Sequence, residues 1–274
     1  MSKADAALAQ RGADHPIARR WALVRGEGRA ALIPYLTAGY PTASDAVQAL
    51  RALEAAGADF VEIGVPFSDP LADGVTIQRS THEALARGMT VGGVLESIAQ
   101  AALGIPVIIM TYLNPVMAYG VERFLADAQA AGATGLLLTD LPAGADPALE
   151  ERVAASPLAP IRLLAPTTNA ARLALAVRGA RGFLYFISRL GVTGARADVP
   201  SDLEAQLARI RAVSALPVAV GFGIGTPAQA RATARVADGV VVGSALVEAL
   251  GTGGVAGAER LARALAAAVR EARG

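Results

Sequence analysis

The chain has 274 residues, 53% of them hydrophobic, and a formal net charge of +1 from 25 basic and 24 acidic side chains scattered along it. That length suits one large domain or two small ones with a sizeable core, and the scattered charge leaves no basic stripe for nucleic acid. Cysteine is absent and Lys3 is the only lysine, so disulfides, thiolate chemistry, lysine Schiff-base catalysis and covalently held pyridoxal phosphate are excluded for this chain.

Only His15 and His82 could act as imidazoles, and both read as surface residues, so a His-rich metal site cannot be built. The N-terminal MSKADAALAQRGADHP lacks the apolar core of a signal peptide, and residues 1–16 read as a flexible tail. No run of about 18 apolar residues is present, so no membrane span is expected and the cytoplasm is the default.

Residues 17–27 read as a short helix carrying Trp21 and Leu23, placed to plug or cover one end of a barrel. AALIPYLTAGYP is a strand ending at Gly39 and Pro41. Ser44 is the expected cap of a helix that runs to Ala56 and stops at Gly57. Asp59 to Val65 then reads as a buried strand, with Val61, Ile63 and Val65 on one side and Phe60, Glu62 and Gly64 on the other. A strand buried on both faces should be apolar throughout, and Glu62 breaks that rule. A carboxylate in an apolar interior is costly, so Glu62 has either a task or a buried arginine partner. The turn that follows, PFSDPLADG, delivers a second acid, Asp73, at 73 − 62 = 11 residues further on.

Helical stretches follow at about 76–87 and 91–102, separated by Gly88. PVIIMTYLNP is the next strand, before a helix at about 120–131. GLLLTDLP, PIRLLAPTT, GFLYFISRLGVTG, PVAVGFGIGTP and GVVVGS continue as strands. Helices DPALEERVAA, ARLALAVRG, SDLEAQLARIRAVS and AQARATARV alternate with them, and a short helix SALVEAL and a long one at about 255–272 close the chain. Eight strands alternating with helices, without a linker, predict parallel strands with right-handed crossovers. The expected fold is a single-domain (β/α)8 TIM barrel spanning 1–274, with an extra N-terminal helix and a short extra helix after strand eight; a doubly wound open sheet is the alternative.

Barrel sites form at the C-terminal ends of the strands. On that frame Glu62, Asp69 and Asp73 come from strand two and its loop, Met110, Thr111 and Tyr112 from strand three, Asp140 from strand four and Tyr185 from strand six. Strands seven and eight end in glycine-bearing turns, Gly221 to Thr226 and Gly243-Ser244, with Ser244 the expected N-cap. Phosphate in barrels commonly sits at such turns, held by backbone amides; ordinary helix capping is the alternative, and two glycine turns at adjacent strand ends favour phosphate. The long segment RLGVTGARADVPSDL, about 189–202, reads as a lid in which Thr193 and Gly194 could close over a phosphate.

EIGVPFSDPLADG, SRLGVTG, GFGI and VVGSALV, in this order and with LIPYLTAGYP and MTYLNP, closely resemble the tryptophan synthase α-subunit family from about residue 17 to the C-terminus. The resemblance implies cleavage of indole-3-glycerol phosphate to indole and glyceraldehyde 3-phosphate. It implies Glu62 as general acid/base, Asp73 as the carboxylate on the indole N–H, and Tyr185 beside Glu62. Gly194, Gly223, Gly243 and Ser244 match the phosphate cradle, and Tyr35, Tyr112, Leu137 and Phe222 the indole-side walls. Leu190 stands where some members have Ser, and Tyr35 where some have Phe. The implied partner is a β subunit carrying pyridoxal phosphate in an αββα assembly, with no cofactor in this chain. Without a usable lysine or a metal, acid/base work by carboxylates remains for a retro-aldol cleavage. A stand-alone indole-releasing lyase, a non-catalytic subunit sensing a phosphorylated ligand and, more remotely, a phosphosugar isomerase are the other readings.

Overall fold

The computed structural model describes residues 14–187, 202–221 and 223–273. Lys3, Leu190, Gly191, Thr193, Gly194, Phe222 and most of the expected lid lie outside the described residues. Eight strands, β1 Ala31–Thr37, β2 Val61–Gly64, β3 Val107–Thr111, β4 Ala133–Leu138, β5 Ala159–Leu164, β6 Leu184–Ile187, β7 Val218–Gly221 and β8 Gly239–Val242, pair in parallel in chain order. The barrel closes where β1 meets β8, from Ala31 opposite Gly239 to Pro34 opposite Val242. This closure rules out the doubly wound open sheet.

The helices are α1 Pro16–Gly26, α2 Ala43–Ala55, α3 Val75–Ala86, α4 Val91–Ala101, α5 Leu113–Tyr119, α6 Val121–Ala130, α7 Pro147–Ala155, α8 Ala170–Gly179, α9 Leu203–Arg211, α10 Pro227–Val236 and α11 Ser244–Arg270. The two closing helices expected from sequence join into α11 across a kink at Gly254, whose φ is 61° and ψ −166°. Helix α5 was not expected. Its first amide, of Leu113, donates to Asp140 Oδ1 at 2.7 Å, and Pro115 fits in the first turn because no intrahelical acceptor exists there for its missing N–H. Helix α2 is capped by Thr42, not Ser44. Thr42 is extended, and its hydroxyl accepts from Asp45 N, whereas Ser44 already lies inside the first turn.

Strand alternation sorts the core into two layers. Phe60, Ile108, Leu137, Ile161, Phe183 and Val241 fill the barrel, and Val61, Ile63 and Val65 pack outward under the helices. Helix α1 closes the N-terminal end. Trp21 lies 4.9 Å from the Phe60 ring and 5.8 Å from that of Phe183. The strand starts are pared back to admit this helix: a Cβ at Gly239 would stand 2.8 Å from the Trp21 ring, and one at Gly182 would stand 2.9 Å from Ile17. Arg29 grips Asp59 through two nitrogens at 2.7 and 2.8 Å, and Asp59 also accepts from Leu32 N. His15 is not a free surface residue: Nδ1 accepts from Ile17 N to cap α1, and Nε2 lies 3.0 Å from the Pro157 carbonyl. His15, expected in the tail, is thus tied to the barrel floor. His82 is exposed, as expected.

Candidate active site

Glu62 sits in the middle of β2, between Tyr35 on β1 and Ile108 on β3. It is 2% exposed. No arginine pairs with it among the described residues; Arg29 is taken by Asp59. A carboxyl group without a cation in an apolar wall favours its neutral form, and burial, followed by the charge of Asp73, pushes the Glu62 pKa up to about 8. Glu62 is thus mostly protonated at neutral pH.

Asp73 comes near Glu62 because the loop after β2 folds on itself. Asp73 N donates to the Pro70 carbonyl, and Gln78 Nε2, from α3, donates to the Asp73 carbonyl at 2.9 Å. The Tyr112 hydroxyl donates to Asp73 Oδ2 at 3.0 Å and accepts from Ala72 N at 3.0 Å. Tyr112 is in turn packed by Phe67, with ring centres 5.1 Å apart. Tyr112, expected as a wall residue, is therefore also the clamp that aims Asp73. Burial raises the Asp73 pKa to about 6, against the lowering effect of the Tyr112 hydrogen bond. Near neutrality the cavity holds one protonated carboxyl and one carboxylate, the arrangement a general acid and an electrostatic stabiliser need.

Two tyrosines flank Glu62 by one shared device. Tyr35 pairs with Glu62 in register and leans over Gly64, two residues further along β2; Tyr185 pairs with Ala219 and leans over Gly221 on β7. A Cβ at Gly64 would lie 2.0 Å from the Tyr35 hydroxyl, and one at Gly221 would lie 2.3 Å from the Tyr185 hydroxyl. Any larger residue at either position would displace its phenol from the cavity. Both phenols are held neutral, Tyr35 by burial and then Asp73, Tyr185 by burial and then Glu62 and Asp73. Leu137 is fully buried in the inner layer with Ile108, Ile161 and Tyr185.

The two glycine turns meet. A Cβ at Gly225 would lie 3.3 Å from Ala245, and one at Gly243 would lie 3.4 Å from the Tyr35 ring. Gly243, not Ser244, is the N-cap of α11, and Ser244 is its first helical residue. The Leu246 and Val247 amides return to the Gly243 carbonyl. Those of Ser244 and Ala245 come earlier and have no acceptor within the helix, which leaves them for an anion. Gly223 has φ +78°, a conformation that favours glycine. The Gly225 and Thr226 amides are less available, because both donate to Gln229 Oε1 in the capping box of α10. Thr193, Gly194 and Phe222 cannot be placed, since they lie outside the described residues.

Glu62, Asp73, Tyr35, Tyr112 and Tyr185 thus lie close enough for their charges to act on one another, Leu137 packs in the inner layer with Tyr185, and Gly243 lies against the Tyr35 ring. Asp69 and Asp140 do not join them. Asp69 is exposed and accepts from Ser68, and Asp140 is spent on α5. Sequence reasoning missed Gln78, Phe67, Thr37 and Ser80. The only signal for Gln78 was its place in the first turn after Asp73. No group of three or more metal-ligating side chains occurs among the described residues, and none of their helices is long and apolar enough to cross a membrane.

A family model described as tryptophan synthase alpha chain matches residues 21–273. The tryptophan synthase alpha chain of Gluconacetobacter diazotrophicus is 49% identical over 257 residues, covering 91% of this chain and 94% of the relative. That of Chloroflexus aurantiacus is 44% identical over 237 residues, covering 85% of this chain and 89% of the relative. Among solved structures, Mycobacterium tuberculosis tryptophan synthase superposes with a TM-score of 0.87 at 42% identity, covering 93% of this chain and 98% of that one. Tryptophan synthase subunit alpha from Legionella pneumophila gives a TM-score of 0.86 at 34% identity, covering 93% and 98%.

Proposed function

This chain belongs to the tryptophan synthase alpha chain family, the lyases that cleave indole-3-glycerol phosphate in tryptophan biosynthesis, and we propose that Glu62 and Asp73 carry that cleavage here. The observation that carries the reading is Glu62: a carboxyl group 2% exposed, without a cation, in the same cavity as a clamped carboxylate.

The proton on Glu62 goes to C3 of the indole ring, giving an indolenine with positive charge on nitrogen. The Asp73 carboxylate, aimed by Tyr112, faces that charge and stabilises it. The same Glu62, now ionised, takes the proton of the hydroxyl on the adjacent glycerol carbon. The C3 to glycerol-carbon bond breaks, its electrons restore the aromatic ring and neutralise the nitrogen, and indole and glyceraldehyde 3-phosphate leave. Glu62 ends protonated, so the cycle closes without an added acid. Tyr35, Tyr185 and Leu137 wall the indole, with Tyr112 beside Asp73; Phe222, the other wall residue the resemblance implies, lies outside the described residues. The phosphate is assigned to Gly223, Gly243 and Ser244; Thr193 and Gly194, the lid residues expected from sequence, lie outside the described residues.

The partner reading has its own support. Leu71 is 89% exposed, Val75 72% and Met117 55%, and all three sit after β2 and β3 at the end of the barrel where Asp73 lies. Apolar surface gathered at a site mouth fits a docked protein. A β subunit using pyridoxal phosphate to join indole to serine, in an αββα assembly in the cytoplasm, is the partner we assign. This chain itself takes no cofactor. A ligand-sensing subunit without catalysis would have no need of a buried neutral acid facing a carboxylate.

Indole-3-glycerol phosphate incubated with the purified chain tests the reading. Indole and glyceraldehyde 3-phosphate should form in equal amounts. Unchanged substrate, with or without the partner, would overturn it.

A further inference from the structure

Behind the pocket wall lies a line of three hydroxyls that the cleavage chemistry does not use. Ser80 Oγ donates to the Ile77 carbonyl at 2.8 Å. Thr37 Oγ1 lies 2.7 Å from Ser80 Oγ and 3.3 Å from the Tyr35 hydroxyl. Each hydroxyl has one proton to give. The Ser80 proton is committed to Ile77, so the Thr37 proton points at Ser80, and the Tyr35 proton at Thr37. The direction of the whole line follows from its last member. Tyr35, Thr37 and Ser80 are all buried. An interrupted line would leave a buried hydroxyl without its partner.

The line has two consequences. It ties α3 to the end of β1. Helix α3 starts directly after Asp73, with Gly74 as its N-cap, and it carries Gln78, which holds the Asp73 carbonyl. The line also turns the Tyr35 proton away from the cavity, so that Tyr35 shows the cavity only lone pairs.

We propose that Ser80 is a positioning residue for the cleavage: by tying α3 to β1 through Thr37 it sets where Asp73 stands and keeps the Tyr35 hydroxyl an acceptor towards the pocket. The proposal rests on the reading of Asp73 given above. The titratable groups facing Asp73 are Glu62 from β2, Tyr112 after β3, Tyr35 from β1 and Tyr185 from β6, and none of these is a cation.

The test is the pH profile of kcat/KM for the full-length Ser80→Ala, Thr37→Val, Thr37→Ser and Asp73→Asn variants. Alanine favours helix more than serine does, so Ser80→Ala should fold. Its kcat should fall about 3- to 10-fold with KM within about twofold, the scale of one lost hydrogen bond. Its acid limb should move to lower pH, as a loosened Asp73 gains water. Thr37→Val, which keeps shape and loses the hydroxyl, should reproduce these effects, and Thr37→Ser should restore wild-type behaviour. The Ser80→Ala, Thr37→Val double variant should be no worse than either single change, since both cut the same line. A Ser80→Ala enzyme with wild-type kcat, or with a lowered kcat and an unmoved acid limb, overturns the proposal. So does a Thr37→Ser loss equal to that of Thr37→Val. Asp73→Asn separates the two readings. If it keeps the acid limb, the Asp73 assignment is wrong; if it loses the limb while Ser80→Ala matches wild type, only the Ser80 proposal fails.

Discussion

Glu62 and Asp73 are both buried carboxylic acids, near enough for the charge of one to act on the other, yet their surroundings separate them. Glu62 has burial and a neighbouring acid acting on it, and its pKa lies at about 8; Asp73 is raised by burial but held down by the Tyr112 hydroxyl, and lies at about 6. Activity needs Asp73 ionised and Glu62 protonated. We therefore expect kcat/KM to rise as pH passes about 6 and fall as it passes about 8, in a bell that belongs to the pair of acids. Asp73→Asn keeps the shape and loses the charge, so it should lower kcat more than it raises KM and erase the acid limb. A variant with raised KM and unchanged kcat would make Asp73 a binding residue only. Both acids were legible in the sequence, because a charge in an apolar strand and another 11 residues later have few structural explanations. The Tyr112 clamp was not legible. It joins residues 39 apart, and only the folded loop aims the hydroxyl at the carboxylate.

The strands were readable as apolar runs alternating with helical stretches, and the inner and outer layers of β2 follow its period-two alternation residue by residue. Helix α5 was missed because its opening residues, Leu113-Asn114-Pro115, read as the end of the strand PVIIMTYLNP, and the carboxylate that caps it comes from Asp140, 27 residues away. Helix α1 was read as a plug, and its packing makes that reading testable. Trp21 is 2% exposed, and its indole N–H has no hydrogen-bond partner among the described residues. Trp21→Ala should cost about 3–5 kcal/mol in urea unfolding, as large-to-small core changes do. Trp21→Phe should cost markedly less, since no hydrogen bond is lost. Equal losses for both would mean that the indole makes a bond the packing does not show. The turn at the start of α11 gives a second test. Gly243→Val places branches beside the Tyr35 ring and over the amides left for phosphate. Affinity for glyceraldehyde 3-phosphate should fall and affinity for free indole should hardly change; equal losses would mean damage to the fold.

At the scale of the molecule, a closed barrel with one end sealed by α1 leaves the C-terminal ends of the strands as the functional end, and the exposed Leu71, Val75 and Met117 lie there. A partner that covers Leu71 and Val75 also restrains the loop holding Asp73, so docking and chemistry are coupled through one segment. We expect the isolated chain to be a slow lyase that its β subunit accelerates, with added protection of the residue 67–75 backbone in hydrogen exchange. Full activity alone, with no complex at micromolar concentrations, would favour a stand-alone lyase. That Leu71 and Val75 stay exposed could not be read from sequence, where an apolar residue in a loop is equally well a buried anchor. The claim on which all of this rests is that a protonated Glu62 performs the cleavage. The most direct measurement is steady-state cleavage of indole-3-glycerol phosphate by Glu62→Gln, assayed beside wild type with folding checked by circular dichroism. A loss of at least about 10³-fold in a folded protein is the predicted result; a folded Glu62→Gln enzyme that still cleaves its substrate at near the wild-type rate would contradict it.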